Sequence, residues 1–200
     1  MAGVQILELV TPKGVLAELQ AQLENAEEQV IRVGGPALRV ALREGEKDAE
    51  RRINAYWNNI PRFVDKHVYN YDFNRKNLSG KVAASGRRVE LRRFLSRVEM
   101  RKAYFRGQQW ATGFPRSKGV TVKAYRKQPA RVYPGTFVAE MRNGFLNIFK
   151  RRGRARYEID VQYAERDMNW PLLQQEDDFE AKAAAVFAAE LNKILDAEGF

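Results

Sequence analysis

Two carboxylates in the segment RYEIDVQY have the spacing of a catalytic pair. Glu158 and Asp160 lie two residues apart, so in a β-strand both side chains project from one face. Metal-dependent nucleases hold divalent cations with carboxylates in this way, and Lys150 lies a few residues upstream. A strand with alternating charged residues is more often simply solvated. We therefore favour a solvated strand face over a metal site.

The other candidates for catalysis are few. The single histidine, His67, follows Asp65 by two residues, but no nearby serine, cysteine or second histidine completes a catalytic or metal-binding group. We expect a surface or helix-end histidine. The chain has no cysteine, which excludes disulfides, thiol nucleophiles and cysteine-ligated zinc. The GGP sequence at 34–36 lacks the lysine and hydroxyl residue of a phosphate-binding loop. We expect no enzymatic activity, no cofactor and no metal.

Basic residues provide a stronger functional signal. The chain has 35 basic and 25 acidic residues, a formal net charge of +10, which favours a polyanion or an acidic protein surface as partner. The basic residues concentrate at 87–106 and 150–156. Those that we expect at a subunit interface or facing DNA are Arg87, Arg88, Arg92, Arg93, Arg97, Lys150, Arg151, Arg152, Arg154 and Arg156.

Two kinds of partner fit these basic segments. Phe94, Tyr104 and Phe105 interleave with the arginines of 87–106, a mixture suited to gripping phosphates and bases. Guanidinium groups also pair with carboxylates of a neighbouring subunit. We favour the subunit interface, because the acidic cluster at 176–178 offers groups of opposite sign within the same protein. Both interpretations hold if subunits form a ring around a nucleic acid.

The first half of the chain has mainly helical periodicity. Apolar residues at three- and four-residue steps predict a first helix over 12–30. The GGP sequence interrupts the pattern, and we expect a second helix to begin there and continue to 57–61. The segment 63–86 mixes aromatic residues, asparagines and helix breakers, and we interpret it as short helical turns.

The middle of the chain has the alternation of strands. We expect one or two strands over 87–106, a loop over 107–119, and further strands at 120–126 and 156–163.

The clearest hairpin pattern is FVAEMRNGFLNIF. Phe137, Ala139 and Met141 alternate with other residues, so their side chains share one strand face. The dipeptide Asn143-Gly144 then tolerates the positive φ angles of a type I′ turn. We expect two strands joined by this tight turn, with 150–156 at the tip or edge of the hairpin.

The last segment is a helix by every local criterion. Acidic residues at 176–178 suit the positive end of a helix dipole, and the alanine-rich interior has high helix propensity. The sequence therefore predicts an α+β fold, with N-terminal helices and a long C-terminal helix packed on a mostly antiparallel β-sheet. We expect one domain over 1–200, mainly helical at 1–86, a β-sheet region at 87–163 and the C-terminal helix at 170–200.

The segments YPGTFVAEMRNG, NIFKRRG, RYEIDV and WPL resemble the minor tail protein Z family of tailed bacteriophages, whose members act in tail completion. The similarity is concentrated between about residues 120 and 179. Glu158 stands where the family commonly has proline, which affects strand geometry rather than the fold. The positions that carry the resemblance are Pro134, Gly135, Phe137, Asn143, Gly144, Arg151, Arg156, Tyr157 and Ile159.

The resemblance implies a non-enzymatic structural subunit of the virion, assembled in the host cytoplasm and arranged as a ring, hexameric by expectation, at the head-proximal end of the tail. The implied partners are further copies of the chain, the tail terminator, the tube, the head–tail connector, and DNA passing through the lumen. We expect no export signal and no membrane partner, because no apolar stretch reaches the length of a span. The alternatives are a nucleic-acid-binding module and a metal-dependent nuclease.

Overall fold

A computed structural model describes residues 4–10, 27–58, 60–74, 78–111, 119–152 and 158–198. The helices and antiparallel sheets confirm the predicted α+β class. A short 3-10 helix, Leu91–Phe94, precedes α3. In chain order the other elements are β1 (Val4–Val10), α1 (Glu27–Tyr56), α2 (Pro61–Val64), β2 (Val68–Asn74), β3 (Ser79–Ser85), β4 (Arg88–Glu90), α3 (Arg97–Ala111), β5 (Val120–Val122), β6 (Arg131–Tyr133), β7 (Thr136–Glu140), β8 (Leu146–Arg151), β9 (Ile159–Val161), β10 (Tyr163–Asp167), α4 (Trp170–Leu173) and α5 (Glu176–Glu198).

The residue contacts divide the chain into two compact units. Unit 1 contains Met1–Ile53, Arg62–Arg87 and Met168–Phe200, and unit 2 contains Asn54–Pro61 and Arg88–Asp167. The expectation that residues 1–200 fold as one domain stays a prediction.

Unit 1 combines α1 and α5 with a three-stranded antiparallel sheet in the order β1–β3–β2. Both helices bury one apolar stripe, as amphipathic helices do. The buried side chains of this unit include Val33, Leu38, Leu42, Ile53, Val82, Phe179, Phe187, Leu191 and Leu195. The predicted C-terminal helix is confirmed, with its acidic residues in the first turn.

Helix α1 continues through the GGP sequence at 34–36, so the predicted break there is wrong. The proline of this sequence is exposed, and its cost to the helix is a missing N–H donor. The glycines serve packing instead: a Cβ added to Gly34 would lie 2.7 Å from Leu78 Cδ1, and one added to Gly80 would lie 2.4 Å from Leu42 Cδ1. These glycines let α1 and β3 approach closely. The predicted first helix falls mostly on 11–26, outside the described residues.

The segment 63–86 forms a strand hairpin, which corrects the prediction of short helical turns. One helical turn, α2, precedes β2, and β2 pairs with β3 in antiparallel register. The sequence of β2, VYNYDFN, alternates apolar or aromatic with polar residues at a period of two, the pattern of a strand. Asn70, Asn74 and Gly80, which favoured turns, lie within strands whose pairing overrides local propensity.

The apolar core of unit 2 is centred on Trp57, which is fully buried. Its ring stacks on Phe94 with centroids 5.7 Å apart and lies 5.0 Å from the ring of Tyr125. Three small antiparallel sheets complete the unit: β4 with β10, β5 with β6, and β7–β8–β9. The strands predicted at 120–126 and 156–163 correspond to β5 and to β9 with the start of β10.

Residues 87–106 form one short strand followed by helical structure, so a second strand there was a wrong expectation. Helix α3 begins with a capping box: Glu99 N–H donates to Ser96 Oγ at 3.2 Å, and Ser96 N–H donates to Glu99 Oε2 at 2.7 Å. The helix continues to Ala111, into the predicted loop. The sequence S-R-V-E at 96–99 forms this helix start. The alternating apolar residues of the same segment led to the prediction of a strand instead.

The predicted hairpin is formed by β7 and β8, but its turn differs from the expected type. Met141 N–H donates to Phe145 O at 2.8 Å, and Gly144 N–H donates to Met141 O at 2.9 Å. Gly144 has φ of +75°, whereas Asn143 is not among the described residues with positive φ. The turn is therefore a β-turn followed by a left-handed glycine, not a type I′ turn, which needs positive φ at both central residues.

The two faces of β7 differ in burial. Thr136 and Val138 are buried, whereas Phe137 is half-buried and Met141 is 44% exposed. The hydroxyl of Thr136 accepts a hydrogen bond from Val120 N–H at 2.9 Å, which satisfies the polar group inside the unit. The buried face of β7 therefore carries a hydrogen-bonded threonine together with Val138.

The segment Arg88–Asp167 begins and ends at neighbouring positions. Arg88 and Asp167 are directly opposite in the antiparallel ladder of β4 and β10. The residues next to them in sequence, Arg87 and Met168, belong to unit 1, and Met168 N–H donates to Arg87 O at 3.1 Å. The longer unit 2 segment thus starts after Arg87 and ends before Met168, two residues that are hydrogen-bonded to each other.

Candidate functional site

The predicted interface residues are distributed over both units. Arg87 lies in unit 1, whereas Arg88, Arg92, Arg93, Arg97, Lys150, Arg151 and Arg152 lie in unit 2. Arg92 is half-buried and the other seven are exposed. Arg154 and Arg156 lie outside the described residues.

Two arginines of the 87–106 segment bind carboxylates of unit 2. Arg88 Nε lies 3.7 Å from Asp167 Oδ1, and the Arg92 guanidinium donates to Glu90. These pairs neutralise part of the positive charge within the subunit. The sequence alone did not assign partners to these arginines.

The β8–β9 pair neutralises a third arginine. Arg152 Nε donates to Asp160, a hydrogen bond that raises the pKa of Arg152. Lys150 lies directly opposite Asp160 in the ladder, so both side chains project from one face. Asp160 is therefore surrounded by cations, as a solvated charged strand would be. Across the described ranges no group of three His, Asp or Glu residues could hold a metal ion, and the Glu158–Asp160 pair gains no support as a metal site.

Aromatic rings of unit 2 are engaged by arginines or by the core. The Arg92 guanidinium lies 4.1 Å from the centroid of the Phe145 ring, and that of Arg151 lies 5.5 Å from the Phe137 ring. Phe94 is 4% exposed beneath Trp57, so it offers no surface for stacking a base. The interleaving of basic and aromatic residues thus reflects internal packing at these positions.

A groove of about 760 Å³ lies between α3 and the β7–β8 hairpin. Among the described residues, its charged lining comprises the guanidinium groups of Arg92, Arg97 and Arg101 and the carboxylate of Glu140, an excess of positive charge. Apolar and aromatic side chains form the rest of the lining. Arg92 and Arg97 were predicted as interface residues from the sequence, whereas the groove was not, because it forms where α3 meets the hairpin.

Large apolar side chains are exposed on the elements that line this groove. Val98, in the first turn of α3, is 62% exposed, and Met141 and Phe145, on either side of the hairpin turn, are each 44% exposed. A single exposed apolar side chain is ordinary, but several beside a concave basic surface are typical of a protein-binding site. We call the groove and these three side chains the basic groove.

His67 has a structural role. Its Nδ1 lies 2.7 Å from the Phe63 carbonyl oxygen, and its ring packs on the Phe63 ring with centroids 4.1 Å apart. The imidazole thus satisfies a carbonyl at the end of α2, in agreement with the helix-end interpretation.

Unit 1 contains a buried ionic cluster that joins α1 to α5. Asp48 is 5% exposed and accepts hydrogen bonds from Arg51 at 3.0 Å, Arg52 at 2.6 Å and Lys182 at 2.5 Å. Burial raises the pKa of Asp48, but the hydrogen bonds from Lys182 and Arg52 outweigh it, so that the pKa lies below 3.8. Arg52 also binds Asp178 at 2.6 Å. One residue of the 176–178 cluster is therefore paired inside its own unit.

Comparisons with protein-family models, with curated protein sequences and with solved structures find no match. The resemblance to the minor tail protein Z family stays a prediction that depends on the sequence segments. No helix within the described ranges has both the length and the apolar character needed to cross a lipid bilayer.

Proposed function

We propose that this chain is a structural subunit of a tailed-phage virion: a tail-completion protein that forms a ring at the head-proximal end of the tail and helps to join the tail to the head. The sequence resemblance supplies the class of particle. The observation that carries the proposal is the basic groove, where Arg97 and Arg101, which form no ion pair within the described part of the chain, line the same concave surface as the exposed Phe145. A surface that combines cations with large apolar side chains fits protein partners better than a catalytic substrate.

The partners follow from this role. The chain binds further copies of itself, in a ring that the resemblance makes hexameric, and contacts neighbouring tail and neck proteins. In this role the exposed Lys150 and Arg151 at the end of β8 contact an adjacent subunit's carboxylates or DNA in the lumen. A moderate basic lining suffices there, because many phosphate contacts would hold the DNA instead of letting it pass.

Nucleic-acid binding as the main activity is the second candidate, and the net charge of +10 favours it. Two features of unit 2 weigh against it. Carboxylates of the same unit neutralise Arg88, Arg92 and Arg152, and Phe94 is buried. Tight binding of DNA by the isolated chain, weakening steeply with added salt, would support this candidate over the structural subunit.

The test is made in a phage that encodes this chain. Replacing Arg151, Arg152 and Arg154 together by alanine removes three positive charges from the basic segment 150–156. We expect the purified variant to fold normally, judged by circular dichroism, and electron microscopy to show tails that are unjoined to heads or heads that lose their DNA.

The matched control replaces three exposed lysines elsewhere, Lys66, Lys123 and Lys127, by alanine, which removes the same charge. The control phage should be infectious. Normal particles from the arginine variant would contradict the role of the hairpin arginines, and absence of the chain from purified virions would contradict the proposed function itself.

A further inference from the structure

We propose that the basic groove binds the acidic first turn of α5 from a second copy of the chain, so that copies associate head to tail. This inference rests on the proposed function, because it names the surface that each subunit of a ring offers to the next. It goes further by assigning both halves of the contact to residues of this chain.

The first half of the contact is positively charged and lacks internal partners. Arg97 and Arg101 are exposed on α3, and no ion pair is found for either within the described part of the chain. Arg92, by contrast, is already bound to Glu90. The guanidinium groups of Arg97 and Arg101 can therefore bind carboxylates of another molecule, because their planar sets of N–H donors match the geometry of a carboxylate.

The second half is negatively charged and also lacks internal partners. Glu176, Asp177 and Glu180 are exposed at the start of α5, and within the described ranges none of them forms an ion pair. Asp178 is the exception, since it binds Arg52. This concentration of acidic residues in a chain of net charge +10 is complementary to the groove.

The apolar parts of the two surfaces also fit. The exposed face of α5 beyond its acidic turn carries Ala181 and Ala185, whose small side chains let a neighbouring surface approach closely. Contact with this face would cover Phe145 and Leu146 of the groove lining, which are exposed and half-buried in the single chain. A nucleic acid in the groove would pair with the arginines but leave these apolar side chains in water.

Two different surfaces of one chain make a heterologous contact. Such a contact repeats from copy to copy, and it yields a closed ring when the rotation per subunit divides a full turn, or a filament when it does not. The proposed ring is thus a direct consequence of placing the cations and the acids on separate surfaces.

A charge-exchange experiment tests the pairing. The groove variant carries Arg97→Glu and Arg101→Glu, and the helix variant carries Asp177→Lys and Glu180→Lys. Sedimentation velocity at low salt should show self-association of the wild type and an apparent Kd at least about tenfold weaker for each variant alone. An equimolar mixture of the two variants should recover wild-type association, because each groove then meets a helix of opposite charge.

Matched controls separate this contact from a general effect of charge. Lys123→Glu with Lys127→Glu, and Asp65→Lys with Asp196→Lys, change the charge equally at exposed positions away from both surfaces. They should associate as the wild type does. Circular dichroism checks that every variant is folded.

Several outcomes would overturn the inference: a wild type that stays monomeric at all concentrations, variants that associate as the wild type does, or a folded pair whose mixture does not associate. So would a groove that binds a duplex DNA oligonucleotide through Arg97 and Arg101 without self-association. Variants that assemble normally into virions would refute this contact alone and leave the structural-subunit proposal intact, whereas absence of the chain from virions would refute that proposal.

Discussion

Replacing Asp48 by asparagine removes a buried negative charge and nearly preserves the side-chain volume. In the wild type this carboxylate receives hydrogen bonds from Arg51, Arg52 and Lys182 and thereby connects α1 with α5. The asparagine keeps one carbonyl acceptor but leaves the surrounding cations without their shared counter-charge. We expect a loss of stability in unit 1.

The size of the loss in unfolding free energy depends on which partners each cation keeps after Asp48 is replaced. Removing one partner of a buried ion pair costs about 3–5 kcal/mol when the other charge is left uncompensated. Here Arg52 keeps Asp178 and Gln175, each at 2.6 Å, and the Lys182 side chain is 49% exposed, so water replaces part of the lost interaction. We therefore expect a loss of about 2 kcal/mol at neutral pH, or a Tm lower by about 4–8 °C for a chain of this size.

The pH dependence of this loss has a defined sign. The pKa of Asp48 in the folded protein lies below the ordinary value of 3.8, so its contribution is present above 3.8 and is lost as pH falls through the folded-state pKa. The difference between wild type and the Asp48→Asn variant should therefore shrink in acid.

Urea unfolding followed by far-UV circular dichroism, at about pH 7 and about pH 3, measures both the loss and its pH dependence. Asp196→Asn, at an exposed position of α5, is the control and should change stability by less than about 0.5 kcal/mol. A loss for Asp48→Asn that is no larger than the control's, or that is equally large at both pH values, would refute the reasoning.

Three further substitutions test other features. Ser96→Ala removes the cap of α3 and should cost about 1 kcal/mol, with faster amide hydrogen exchange in its first turn around Glu99. Gly80→Ala places a Cβ against the buried Leu42 and should cost about 1–3 kcal/mol in urea unfolding; an unchanged midpoint would show that the leucine moves aside. Glu50→Gln should stabilise the protein by roughly 0.5 kcal/mol at neutral pH, because burial and two neighbouring carboxylates raise the pKa of Glu50 and disfavour its charged form; the gain should disappear below pH 4.5, where a persistent gain would argue for a packing effect.

Local chemistry made parts of the fold predictable. Helix α5 combines an acidic first turn with an alanine-rich interior, and the β7–β8 hairpin is indicated by its alternation and by Gly144. The capping box at Ser96 was equally local, and the strand interpretation of 87–106 overlooked it. These elements depend on interactions between residues that are close in sequence.

Long-range packing determined what the sequence did not predict. Gly34 lies inside α1 because Leu78, which is distant in sequence, occupies the space that a Cβ would need. From the local sequence alone, a glycine required for such packing looks the same as a glycine that ends a helix. The candidate site could not be predicted from the sequence for the same reason. Arg97 was predictable as an exposed cation, but its neighbours Glu140 and Phe145 in the groove are brought there by the hairpin.

The adjacency of Arg88 and Asp167 bears on how this gene could change over time. Because the intervening segment begins and ends at paired residues, recombination at those two points would exchange one continuous stretch of chain that starts and finishes at the same place. The stretch Asn54–Pro61, with Trp57, belongs to the same unit and would have to adapt to a new insert.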